Sequence, residues 1–187
     1  MKALSVRPPW AQFIIYGVPL TKNVDLGGGR STVELDGRFF HKNIENRKWK
    51  LPDDFKLPQR IYIHASKRDD PIEAVLDMCV KKIGLPFMMV MHMSSPLLGR
   101  GAIIGEVDIV GCVEKSDSPW FTGPYGFVLA NWKGYKVPVP CKGKLGFFEP
   151  PGSLAMAAPK APSTKKQSRK RAPGHIRGHQ VNGRKNE

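Results

Sequence analysis

Lys42, Glu45 and Arg47 fall within six positions of one another in the segment HKNIENRKW (His41–Trp49), and Trp49 closes it. In an extended segment side chains alternate between two faces. Glu45 and Arg47 then share a face, and Lys42 points the other way unless a turn or bulge redirects it. Such a cluster is expensive to bury unless its charges are paired. It is therefore either a solvated surface strand or a polar site in a pocket. In a pocket Lys42 suits a phosphate contact, or a general base once a desolvated cleft has taken its proton. On a surface it is an ordinary charge. Glu45 and Arg47 can pair across one strand face whether or not they also orient Lys42.

Other segments supply further candidates. Glu106 interrupts the apolar run GAIIGEVDIV, and an unpaired buried carboxylate is costly. Strict alternation puts Ile104, Glu106 and Asp108 on one face and Ile103, Gly105, Val107 and Ile109 on the other. That polar face is either solvated or lines a cavity, where Glu106 and Lys42 would form an acid/base couple. Ser5 and Arg7 lie at a strand-to-helix corner that suits an anion, or Arg7 is a plain surface charge. Ser66 and Lys67 end the run IYIHASK and would add phosphate contacts or simply be solvated. Trp120, Phe121 and Tyr125 sit on the Gly/Pro-rich stretch SPWFTGPYGF, where aromatics either stack a base or plug the end of a barrel. His64 reads as a satisfied core histidine. The His175/His179 spacing has no cysteine partners, so no metal site is expected, and no cofactor motif is present.

The elements that must hold these residues follow from periodicity. Lys2–Val6 reads as a strand, and Pro8 and Pro9 open a helix whose stripe is Trp10, Phe13 and Ile14, with Gly17 as its cap. Residues 18–41 read as irregular, with GGG at 27–29 and a small hairpin around Asp36-Gly37. KNIENRKW and RIYIHAS read as strands. Asp69, Asp70 and Pro71 begin a helix with the face Ile72, Val75, Leu76, Cys79 and Ile83, ended by Gly84. The Met- and Pro-rich residues 85–100 carry no clear period, and the methionines at 88, 89, 91 and 93 read as packing. Strands follow at 101–113, 126–133 and 145–148. The sum is an α+β body, mostly β, in which a curled sheet or barrel with two helices is expected over a βαβ array.

Charge divides the chain in two. Of a net +14, residues 151–187 hold nine Lys/Arg against Glu187 alone, and the first 150 residues hold 21 basic and 15 acidic groups. The division expected is a body at 1–150 and a disordered basic tail at 151–187, whose block KKQSRKR binds phosphates nonspecifically or keeps the chain solvated. A polyanion, nucleic acid ahead of anionic membrane, is the natural partner. Three widely spaced cysteines form no CxxC pair, and MKALSVRPPWAQ lacks the apolar core of a signal peptide. An intracellular, cytoplasmic protein is expected.

Six separated segments together resemble the ASCH family, a branch of the PUA-like small β-barrels: LSVRPPWAQFIIYG, KNIENR, IYIHASK, GAIIGEVDIVGCV, PWFTGPYGFVLAN and KGKLGFF. They follow the family's order across the 150-residue body. The family's signature, Gly-x-Lys-x-x-Glu/Thr-x-Arg, is intact here as Lys42, Glu45 and Arg47, with its glycine displaced to Gly17 by an insertion at about 18–41. The resemblance implies a cleft that binds RNA or a nucleotide-like ligand. Some members are similar to amidohydrolases of N4-acetylcytidine, and one is a reported ribonuclease. Carried over, the catalytic Lys matches Lys42 and a strand Glu matches Glu106, while Glu45 stands where the amidohydrolases have Thr. The expectation is thus an RNA- or nucleotide-binding module. Metal-independent hydrolysis is the alternative. A protein-docking module that uses the insertion at 18–41 is the second.

Overall fold

Residues 1–152 are described by a computed structural model, so the tail block KKQSRKR, His175 and His179 lie outside the described residues. The elements run β1 (Ala3–Val6), α1 (Trp10–Ile15), β2 (Val18–Gly27), β3 (Arg30–Phe40), β4 (Ile44–Arg47), β5 (Gln59–Ala65), α2 (Ile72–Leu76), α3 (Phe87–Met93), β6 (Ala102–Val113), β7 (Tyr125–Pro140) and β8 (Phe147–Phe148). Six strands form one sheet in the order β4-β7-β6-β5-β1-β8, and β2 and β3 form a separate ribbon. β1 is parallel to β5, and the other pairings are antiparallel. The sheet curls into a half-barrel, so the fold is mostly β with few helices.

The apolar stripe of α1 determines how the barrel is filled. Ala11, Ile14 and Ile15 join Ile61, Ile63, Val107, Ile109 and Phe127 of the sheet in the main core. Phe13 points instead into a second cluster with Val75, Cys79, Val90 and Trp120, which seats α2 and α3. The chain leaves α1 through Gly17 in the left-handed region at φ 66°, where a side chain is strained. Among the described residues no helix is long and apolar enough to cross a membrane.

Three expectations need correction. The body has a third helix beyond the two expected, in the segment 85–100 that carries no clear period: Pro86 precedes α3, and Val90 and Met93 are its buried residues. Helix α2 is short and widens into a π-helical turn at Asp77–Lys82, while keeping Val75 and Cys79 buried as expected. Residues 18–41 form a long hairpin turned at Gly28-Gly29, not an irregular stretch with its turn at Asp36-Gly37. The pairing steps from Pro19↔Phe39 to Thr21↔Leu35, so Asp36, Gly37 and Arg38 bulge out opposite Leu20. The Asp36 carboxylate accepts the Arg38 backbone N–H at 2.8 Å and stabilises that bulge. Composition alone does not distinguish a bulge from a turn, because both favour Asp-Gly.

Strict alternation also fails in β6. Its pairing with β7 slips between Ile103 and Gly105. Ile104, Val107 and Ile109 therefore share the main core, and Ile103 packs on the other side with Ala3, Tyr135 and Phe148. One extra residue moves Ile103 and Ile104 to the opposite faces from those that a period of two assigns.

Candidate functional site

Lys42 lies in the irregular segment between β3 and β4, and its backbone N–H donates to the Phe13 carbonyl at 3.0 Å, tying the segment to α1. From there the side chain reaches forward along the chain. Its ammonium donates to Glu45 Oε2 at 2.7 Å and to the Ile44 carbonyl. Arg47 lies 3.0 Å from Glu45 Oε1, as two strand positions sharing a face should. Lys42 is 4% exposed and Glu45 7%. The cluster is therefore paired and buried, not a solvated strand.

Strand β4 is at one edge of the sheet and β1 is nearly at the other, with β7, β6 and β5 between them. Curling brings the two together: Arg47 Nη2 donates to the Ser5 carbonyl at 2.8 Å. A cavity of about 830 Å³ opens along this seam. Ser5, Arg7, Lys42, Glu45, Arg47, Ser66 and Trp120, all candidates from the sequence, line it. Lys48, Arg68, Trp10, Trp49 and Asp70 line it too, and sequence reasoning did not place them there. Five cations thus face two carboxylates around one opening, a field that favours an anion.

The walls are aromatic. Trp120 is 1% exposed and packs on Phe13 at 5.7 Å and on Phe40 at 5.5 Å between ring centroids. Its indole N–H has no partner among the described residues, and neither has Nε of Arg47. Trp10 donates to Asp70 Oδ2 at 2.6 Å, and Asp70 Oδ1 accepts from Arg7 at 2.6 Å. Arg7 is thus neutralised at the rim, while Arg68 is exposed there. Asn46 fastens the Trp120 loop by donating to the Trp120 carbonyl at 2.8 Å and accepting from the Thr122 N–H at 2.9 Å. Trp10 carried the helix stripe in the sequence, and Trp49 stood beside the charged cluster; the signal for a wall was their size and indole donor.

The other candidates stand elsewhere. Phe121 packs with the second core cluster, and Tyr125 pairs in register with Arg47 at the strand end; neither lines the cavity. The Lys67 side chain passes over Gly101, where an added Cβ would meet it at 2.9 Å, and Lys67 is also absent from the lining.

Glu106 does not meet Lys42. It accepts from Arg60 at 3.1 Å, Lys133 at 2.9 Å and the Tyr135 hydroxyl at 3.2 Å. Burial raises its pKa, but the hydrogen bonds from Lys133 and Arg60 outweigh that and hold the carboxyl below its ordinary value. It is a satisfied carboxylate, and the expected couple with Lys42 is corrected on that ground. The Cys79 thiol is pushed up to about 12 by burial despite the nearby Lys42 charge, so it is an inert thiol.

No family model matches the chain, and no curated protein matches it. Among the described residues no group of three or more His, Cys, Asp or Glu is placed to hold a metal ion.

Proposed function

We propose that this chain is an RNA- or nucleotide-binding module of the ASCH kind, which takes a phosphate-bearing ligand into the cavity between β4 and β1. The observation that carries the reading is the convergence of Ser5, Lys42, Glu45 and Arg47 with Trp120 on one cavity of about 830 Å³ with excess positive charge. Phosphate oxygens accept hydrogen bonds, and Lys48 and Arg68, both exposed, line the opening as charged donors. The partly exposed indoles of Trp10 and Trp49 in the lining supply surface on which a base can stack. Binding ranks ahead of hydrolysis because Glu106 is engaged by Arg60, Lys133 and Tyr135.

Tryptophan fluorescence is the direct readout. Titration of the full chain with nucleoside monophosphates and short RNAs is expected to quench it saturably, and more weakly as salt rises. Lys48→Ala and Arg68→Ala are each expected to weaken RNA binding and lower the salt slope by about 0.7, the share of one single-strand phosphate. No saturable quenching, or quenching indifferent to both salt and these substitutions, would sink the proposal.

A further inference from the structure

Between β7 and β8 the chain runs through a loop, residues 141–146, that is held at both ends. At its start the Cys141 backbone N–H donates to the Gly101 carbonyl at 3.0 Å, and the Cys141 carbonyl lies 2.9 Å from His64 Nε2. Gly143 then lies close on the same ring: a Cβ added there would stand 2.4 Å from His64 Cε1. At the far end Phe148 pairs in register with Ala3. Phe147 stacks on Phe55 at 4.9 Å and meets Trp49 edge-on at 5.5 Å between ring centroids. Lys144, Leu145 and Gly146 form the short arch between these anchors, and Gly146 turns it at φ 66°.

Leu145 is 99% exposed, yet it belongs to the lining of the cavity. A single exposed apolar side chain is ordinary on a protein surface. Leu97, at 92%, is such a case and does not line this cavity. Leu145 differs in its place. It stands where the cavity opens to solvent, and Phe147, two residues on, packs against Trp49 of the same lining. Leu145 and Trp49 therefore belong to one end of the cavity, while Lys42, Arg47 and Lys48 give the lining its charge. A ligand that is charged in one part and broad and apolar in another uses both. Taking Leu145 out of water is favourable, and folding has used none of that gain, so all of it is kept for the complex.

We infer that Leu145 is a ligand-binding residue whose side chain covers the face of a nucleobase held in the cavity. The inference rests on the nucleotide-binding reading above. Phosphate and ribose are polar on every side and gain nothing from contact with an isobutyl group. A base presents a flat face that is poorly hydrated and seeks cover. The contribution of Leu145 is therefore confined to the base, and the anchored ends of the loop hold the side chain at the opening before the ligand arrives.

Calorimetry and methyl NMR on the full chain test it. Leu145→Ala is expected to weaken adenosine monophosphate binding about tenfold, the order reached when part of a leucine side chain leaves water. Its melting temperature is expected to stay the same, because a side chain 99% exposed buries nothing on folding, so a loss of binding is not a loss of fold. Leu145→Met keeps the apolar volume and is expected to bind within about a factor of two of the unchanged chain. In ¹³C-methyl spectra the signals that Leu145→Ala removes are those of Leu145. Adenosine monophosphate is expected to move them upfield through the ring current of its base, and ribose 5-phosphate to leave them in place. Full affinity in Leu145→Ala overturns the inference, as does Leu145→Met binding as weakly as Leu145→Ala. So do Leu145 signals that stay in place at saturation or move equally with ribose 5-phosphate; each of these leaves nucleotide binding standing. If adenosine monophosphate does not bind a chain whose methyl spectrum shows it folded, the nucleotide reading fails and takes the inference with it.

Discussion

Lys42 shows how a charged side chain comes to be buried. Its ammonium meets the Glu45 carboxylate at 2.7 Å and the Ile44 carbonyl, and Glu45 is shared with Arg47 at 3.0 Å. Removing one member of such a set leaves another buried charge short of a partner, which costs about 3–5 kcal/mol where the pair is dehydrated. Lys42→Met is expected at the low end of that range, about 3 kcal/mol in urea unfolding, because Arg47 still neutralises Glu45. Glu45→Gln is expected to cost more, since it strands two cations side by side. Destabilisation below about 1 kcal/mol for both would mean that the cluster is hydrated and worth no more than a surface ion pair. The sequence left the spacing of Lys42, Glu45 and Arg47 as either a solvated strand or a polar site, and the ion pairs and burial of the structure decide for the second. The partner of the Ser5 hydroxyl was not legible there, because His64 is 59 positions away and no local pattern joins them.

At the scale of elements, what the sequence showed plainly is what depends on near neighbours. The stripe of α1, the strand at β5 and the face of α2 follow from the spacing of apolar residues. The slip in β6 did not show, because a bulge around Gly105 is set by the strands on either side of it. The long hairpin was hidden for a different reason. Among its described side chains only Val18 is buried, so there is no alternation of apolar and polar residues to read. Leu26, Leu35 and Phe39 are all exposed on it. An element that buries so little of itself contributes little to the core. Replacing residues 20–38 by Asn-Gly, which closes the Pro19↔Phe39 pair with a two-residue turn, is expected to shift the melting temperature by no more than about 4 °C, equivalent to about 1 kcal/mol. Nucleoside monophosphate affinity is expected to be unchanged. If the shortened chain melts far lower, the ribbon braces α3 and the second core cluster. If instead it keeps its stability and no longer captures a protein that the full chain binds, the hairpin is the docking element expected of the insertion at 18–41.

For the whole molecule, charge separates two modes of binding. The first 150 residues carry 21 basic and 15 acidic groups, and residues 151–187 carry nine and one. The tail therefore holds +8 of the net +14 in a fifth of the chain. Basic blocks attract phosphates by releasing condensed counterions, an effect that grows with the number of phosphates engaged and falls steeply with salt. A single mononucleotide brings too few phosphates to release many counterions, and its affinity must come from the cavity. A long RNA draws on both. Ending the chain at residue 150 is therefore expected to weaken binding of a long single strand and to reduce the slope of log affinity against log salt by about 0.7 for each phosphate the tail had neutralised. The same truncation is expected to leave mononucleotide affinity within about a factor of two, because RT ln 2 is below the worth of one hydrogen bond. Lys48→Ala together with Arg68→Ala reverses the pattern: mononucleotide binding falls most, while long RNA retains its hold through the tail. Were truncation instead to remove mononucleotide binding along with RNA binding, the tail itself would be the site and the cavity a structural seam. Comparing the truncated chain with the double substitution decides between these in one readout, since a cavity site and a tail site predict opposite rankings of the two ligands.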